Sequence, residues 1–373
     1  MIAKREGSHH LSPRRPKARG GIDLGGTKIQ AVVVDSKWNV IGSSRRPTPT
    51  EGGPRDVALQ MADAMRDAAR DAGMQPSALA GIGVGSPGTV NEATGTVSQA
   101  RNLPGWEGTF KLGPWLTKAL GSPVSVGNDV GVATDAEAQL GAGRPYKSLL
   151  GVFWGTGVGG GLILNREPWL GRGAAGEIGH MVVKRNGARC TCGRKGCLEA
   201  YAGRAAMEIK ARREKARGAK TDLFKLMKKH DRDRLTSGIW ERALKAKDPL
   251  AEKLIAHAVE ALGAGIASAV NLLDVEAVII GGGLGCRLGE PYVKRIGKAM
   301  APHLFGDEHP PALHVAALGD FGGAIGAALL SASRAKAAKA KARSRRPRRV
   351  PRAISGSDGA SNAAERPARE PRP

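Results

Sequence analysis

Apolar residues in this chain gather in short, unbroken runs that end at glycine turns, with stretches of helical spacing between them. Residues 20–35, GGIDLGGTKIQAVVVD, read as a strand, a Gly-Gly-Thr turn and a second, β-branched strand. The turn lacks the GxxxxGK[ST] spacing of a P-loop, and no helix follows it. Residues 57–73 alternate as an amphipathic helix stopped by Gly73 and Pro76. A buried strand is predicted over 79–90, running into a Gly/Pro turn, and 122–143 reads as a strand ending at Gly127-Asn128-Asp129 and then a helix. Residues 148–165, SLLGVFWGTGVGGGLILN, repeat the opening device of strand, Gly-Thr-Gly turn and strand. Helices dominate from about 200 to 274, with 253–274 apolar enough to be a core helix; 275–285 is a buried strand opening into a triple-glycine turn. A small-residue helix at 321–332 closes the pattern.

Two strand–turn–strand devices about 130 residues apart suggest a duplicated α/β unit. Apolar strands alternating with helices predict α/β architecture with sheets covered on both faces. The expected division is a first α/β domain over 20–130 and a second over 131–330, with the last helix returning to the first.

Composition adds limits. The chain has 373 residues, 53 of them glycine, and only 4% aromatic, which fits many tight turns and about two domains. Four cysteines do not make a disulfide scaffold, no run of about 18 uncharged apolar residues appears, and the N-terminus lacks a signal-peptide core. A soluble protein in the reducing cytoplasm, with no membrane partner, is expected. The net charge of +24 is uneven: residues 1–19 carry +5 and residues 331–373 carry +10. Both segments are poor in apolar residues and are expected to be disordered basic tails. They read as solvated ends, or else as sites of loose, salt-sensitive contact with a polyanion.

Candidate chemistry concentrates in GEIGHMVVKRNGARCTCGRKGCLEA, residues 176–200. Cys190, Cys192, Cys197 and His180 form the Cys₃His set that suits a closed, structural Zn²⁺ site, and Gly187, Gly193 and Gly196 let the loop curl around it. Three thiols would leave a disulfide pairing with one over. Glu177 and Glu199 flank the set, either as surface charges or as acceptors for the hydroxyls of a polar ligand. Asn128-Asp129 stands at a strand-to-helix junction, where α/β sheets gather ligands but where Asn and Asp also serve as helix caps. The two Gly-Thr turns suit phosphate oxygens, and facing each other across a cleft they would clamp a nucleoside triphosphate. Asp23 beside the first turn could hold Mg²⁺ through water.

These motifs resemble the ROK family of sugar kinases and sugar-sensing repressors, within the actin-like ATPase superfamily. DLGGTK (23–28) and GTGVGGG (155–161) are similar to its two phosphate motifs, and GEIGH (176–180) with CTCGRKGCLE (190–199) to its zinc and sugar signature. NLPGW (102–106) and GND (127–129) resemble its sugar-pocket segments, and IIGGGLG (279–285) its adenosine-side turn. The resemblance covers about 21–330. It implies a two-domain, ribonuclease H-like fold closing over a central cleft, and Asp129 as the base for the sugar 6-hydroxyl. Asn102, Asn128, Glu177, His180 and Glu199 would bind the other hydroxyls. Gly25, Gly26, Thr27, Lys28, Thr156 and Gly157 would face the ATP phosphates, and Gly282 and Gly283 the adenosine.

The resemblance leaves two classes of function. Repressors of the family carry a helix-turn-helix before the shared body, and here the first phosphate turn begins by residue 25, so a kinase is expected. Glucose with ATP is the leading substrate pair, with N-acetylmannosamine, N-acetylglucosamine or a polyphosphate donor as alternatives. The family also implies a homodimer.

Overall fold

A computed structural model describes residues 18–344 apart from Arg101 and Asp307, so most of both basic tails lies outside the described residues. The run at 20–34 folds as the hairpin its pattern predicts. β1 (Arg19–Leu24) and β2 (Lys28–Val34) pair antiparallel around the turn at 25–27, and β3 (Val40–Pro47) extends them. α1 (Pro54–Asp71) follows. Proline occupies its first turn, where no N–H is required, and Gly73 at φ 66° lies just past its end. Its Val57, Met61, Met65 and Ala68 are fully buried, spaced to form one face.

β4 (Ile82–Ser86) lies parallel to β1. Three short strands, β5 (Thr89–Asn91), β6 (Thr96–Ser98) and β7 (Thr109–Phe110), form a small separate sheet. α2 (Leu112–Leu120) leads into β8 (Val124–Asn128), and the first large sheet has the order β3-β2-β1-β4-β8.

α3 (Asp129–Leu140) carries the chain to a second sheet built on the same plan. β9 (Leu149–Trp154) and β10 (Val158–Leu164) make an antiparallel hairpin around the turn at 155–157, and the two-residue β11 (Glu167–Pro168) extends it. β12 (Ala277–Gly281) and β13 (Ala312–Val315) add in parallel, giving β11-β10-β9-β12-β13. The helices between are α4 (Glu199–Ala202), α5 (Arg204–Ala216), α6 (Leu223–Lys229), α7 (Ser237–Lys245), α8 (Pro249–Leu273) and, after β12, α9 (Gly282–Met300). By length and composition α8 could cross a membrane, but 61% of its most apolar window is buried, as in a core helix. Each large sheet has its own core, with Ile22, Met61 and Ile82 in the first and Trp154, Ile255 and Ile280 in the second.

The chain passes between the sheets twice, outward through α3 and back from β13 into α10 (Gly322–Ser344). Glu137 of α3 ties the two crossings together. Buried at 2% exposure, its carboxylate accepts hydrogen bonds from the N–H groups of Ala142, Ala317 and Leu318 at 2.8–3.0 Å. The first half of α10 packs on the first sheet, where Val32, Val34, Ala324 and Ala328 form a satellite core. Instead of stopping near 332, the helix continues to Ser344 through a run of Ala, Lys and Arg, which are strong helix formers. From Lys336 on, the chain forms a separate unit, helical as far as it is described.

The contact between α10 and the sheet depends on missing side chains. A Cβ on Gly83 would stand 1.6 Å from the Ala327 carbonyl oxygen, and one on Gly21 1.9 Å from that of Ala324. Gly83→Ala must therefore push the helix off the sheet, at a cost of about 3 kcal/mol. Urea unfolding will show this as a lowered midpoint with an unchanged m-value.

Candidate active site

Parallel strands β1, β4 and β8 end side by side, with Asp23 opposite Gly85 and Ser86 opposite Asn128. The first turn is held by its own hydrogen bonds. The Gly25 N–H donates to the Lys28 carbonyl at 2.9 Å, and Thr48 Oγ1 donates to the Gly25 carbonyl at 2.7 Å. Gly26 and Thr27 are exposed. Asn102 stands over the turn: a Cβ at Gly26 would lie 3.0 Å from Asn102 Nδ2. Lys28 is engaged with Asp320 at 3.7 Å, and Arg45 shares that carboxylate at 2.9 Å.

Asn128 is the N-cap of α3, its Oδ1 accepting from the N–H groups of Val130 and Gly131 at 3.1 and 2.9 Å. The side-chain oxygen is thus spent on capping, and only the amide nitrogen remains to meet a ligand. Asp129 opens the helix and accepts from the Val130 N–H at 2.9 Å. Though partly accessible, it is closely walled by protein. That desolvation pushes its carboxyl up to about 7, with the charge of Asp23 adding to the rise, the Val130 N–H opposing it and Glu177 contributing from the second half of the molecule. Burial pushes Asp23 up to about 6 against the pull of Lys28. Asp23 also lies against the first turn of α10, where a Cβ on Gly323 would meet its carboxylate at 2.8 Å.

The second turn is gripped from outside. N–H groups of Arg204 and Ala205 donate to the carbonyls of Gly155 and Thr156 at 3.1 and 3.0 Å, and Arg204 Nη2 donates to Thr156 Oγ1 at 2.7 Å. Gly157 admits Glu199: a Cβ there would stand 2.1 Å from Glu199 Oε2, which accepts from the Val158 N–H at 3.0 Å. α9 begins beside the same turn. At Gly282, φ 79°, a Cβ would stand 2.7 Å from the Trp154 carbonyl oxygen, and the Gly283 nitrogen is 3.8 Å from where a Gly155 Cβ would be. A helix N-terminus at a glycine turn is a natural anion site.

His180, Cys190, Cys192 and Cys197 converge, with one ligand atom from each inside a 4.8 Å span. Cys192 and Cys197 sulfurs are 3.7 Å apart, and His180 Nδ1 is 3.8 Å from the Cys190 sulfur. A tetrahedral zinc with bonds of about 2.3 Å to sulfur has ligand–ligand edges of about 3.8 Å. The donor set and its spacing therefore fit the metal, and all four cysteines are free of disulfides. Gly193 and Gly196 sit at φ 91° and 84°, which lets the loop double back. Glu177 Oε2 lies 3.9 Å from His180 Nε2, so the imidazole presents one nitrogen to the sulfurs and the other to the cleft. Glu199 Oε1 accepts from Thr191 Oγ1 at 3.2 Å and thus joins the cysteine loop to the second turn.

Two similar sheets, each opened by a strand–Gly/Thr–strand hairpin and followed by crossover helices, are the actin-like ATPase fold. The chain belongs to the ROK family, whose family model matches residues 19–334. It is 34% identical over 278 residues to a glucokinase of Halalkalibacterium halodurans, covering 74% of this chain and 83% of that protein. It is 31% identical over 334 residues to an N-acetyl-D-glucosamine kinase of Yersinia enterocolitica, covering 84% and 99%. Among solved structures, a ROK family glucokinase from Streptomyces griseus in complex with glucose and AMPPNP aligns with a TM-score of 0.75 at 30% identity, over 85% of this chain and 99% of that one.

Asp129 also sets a pH dependence of stability. An aspartate of the unfolded chain titrates near 3.8, whereas in the fold Asp129 keeps its proton to about 7. Between those values the folded form binds the extra proton, so the stability it confers is complete below 3.8 and is lost as pH rises through about 7. Without ligand, Asp129→Asn should melt above the wild type at pH 8, and the gap should close towards pH 5.

Proposed function

We propose that this ROK-family sugar kinase transfers the terminal phosphoryl group of ATP to the 6-hydroxyl of glucose, in the cytoplasm. The observation that carries the reading is the position of Asp129, an acid with a raised pKa at the carboxyl end of β8, beside Asp23 and within the field of Glu177. Such a carboxylate can take the proton of a sugar hydroxyl as its oxygen attacks phosphorus. Asn102, the Asn128 amide, Glu177, His180 and Glu199 would hold the remaining hydroxyls. The turns at 25–27 and 155–157 would receive the phosphates, and Gly282-Gly283 would lie on the adenosine side. Asp23 would hold Mg²⁺ through water, and that positive charge would offset the repulsion between Asp23 and Asp129. Zinc, held by His180, Cys190, Cys192 and Cys197, would supply no chemistry beyond fixing the loop that carries Glu177 and Glu199. Exclusion of water by the closing walls would favour the sugar over hydrolysis.

An N-acetylated hexosamine is the second reading, because relatives with that specificity share 31% identity, close to the 34% of a glucokinase. A coupled assay over glucose, mannose, N-acetylglucosamine and N-acetylmannosamine, with ATP and polyphosphate as donors, decides between them. Glucose with ATP should give the highest kcat/KM.

Asp129→Asn should remove at least about 99% of turnover while leaving the glucose Kd within a few-fold. Turnover near wild type would exclude Asp129 as the base. In the wild type, kcat/KM should rise with pH up to about 7 and then level, following the Asp129 carboxylate. Chelation should remove one zinc per chain, measured by atomic absorption, and weaken glucose binding together with it.

A further inference from the structure

Beneath the second turn lies a side chain for which the proposed reaction has no role. Arg204 opens α5, and its guanidinium reaches in two directions, with Nη2 donating to Thr156 Oγ1 at 2.7 Å and Nη1 to the Leu235 carbonyl at 2.9 Å. Its Nε is buried and meets no partner among the described residues, so the pose is held at the expense of one unmet donor. Glu208, one turn along, accepts from the Leu235 N–H at 3.0 Å. One turn of α5 thereby clamps both the glycine turn and the segment leading to Ser237, which faces Gly283.

A threonine hydroxyl has one proton to give and two lone pairs, whereas arginine can only donate. Arg204 occupies a lone pair of Thr156 Oγ1, so the Thr156 proton is left for an acceptor in the cleft, where Thr156 is exposed. The carbonyls of Gly155 and Thr156, which would repel an anion, are turned into α5 and satisfied there. The Gly157 carbonyl is in turn occupied by the Gly155 N–H at 3.0 Å, so all three carbonyls of the turn are satisfied within the protein while the Thr156 proton and the charge of Arg204 remain.

We propose that Arg204 is a positioning residue for the phosphoryl donor, fixing the Thr156 hydroxyl as a hydrogen-bond donor to a phosphate oxygen of the nucleotide. The assignment rests on the ATP-dependent reading above.

The test is binding of Mg·AMPPNP by calorimetry to the wild type, Arg204→Met, Thr156→Val and the double variant. A hydrogen bond to a charged group governs roughly ten- to hundredfold in affinity, so each single variant should lose about tenfold or more. The double variant should lose no more than the worse single one, because Arg204 acts through Thr156. Glucose KM should stay within about twofold in Arg204→Met, a split that general loosening of the fold would not give. Wild-type affinity in Arg204→Met, losses that multiply in the double variant, or an unchanged Thr156→Val would each overturn the assignment. No binding by the wild type would overturn the ATP reading and this assignment with it.

Discussion

The burial of two carboxylates, Asp129 and Asp23, at one sheet edge is the constraint on which the candidate site depends. The first sheet delivers both carboxylates to the same edge, and the protein around them replaces the water that would solvate them. Alone, such a pair opposes folding at neutral pH, because at least one acid must stay protonated or be desolvated with its charge. The burial that raises both carboxyls would also make the pair a favourable place for a cation.

The second half fixes its own loops with hydrogen bonds. Glu199 accepts from Val158 on one side and Thr191 on the other, so a single carboxylate joins a glycine turn to the cysteine loop. Gly157 makes the approach possible, since any side chain there would collide with the carboxylate. Tyr201 holds the same loop from below: its hydroxyl accepts from the Ala188 N–H at 2.7 Å, and its ring meets His257 of α8 edge-on. The loop is thus braced by the helix core as well as by its thiol cluster.

Much of this could be read from the chain. Both hairpins, the helix after Asp129 and the cysteine–histidine cluster follow from local patterns, because a glycine turn between apolar runs and a CxCxxxxC spacing are themselves local. The remainder depends on partners distant in sequence. Asn128 could be a cap or a ligand until the N–H groups of Val130 and Gly131 were seen to claim its oxygen. The strands between 89 and 110 hold two or three residues each, too few for an alternating pattern to register. Arg204 lies at the head of a basic helix among many arginines, and its partner Thr156 lies 48 residues earlier, so only its place directly after Gly203 hinted at a special position. Helix α10 outran its expected end because its run of Ala, Lys and Arg favours helix.

Glu137 has a mechanical consequence. Its carboxylate holds both crossings between the sheets with the same two oxygens. Pulling either crossing away would strip donors from a buried carboxylate, which is costly. A single buried glutamate therefore fastens the outgoing crossing to the returning one.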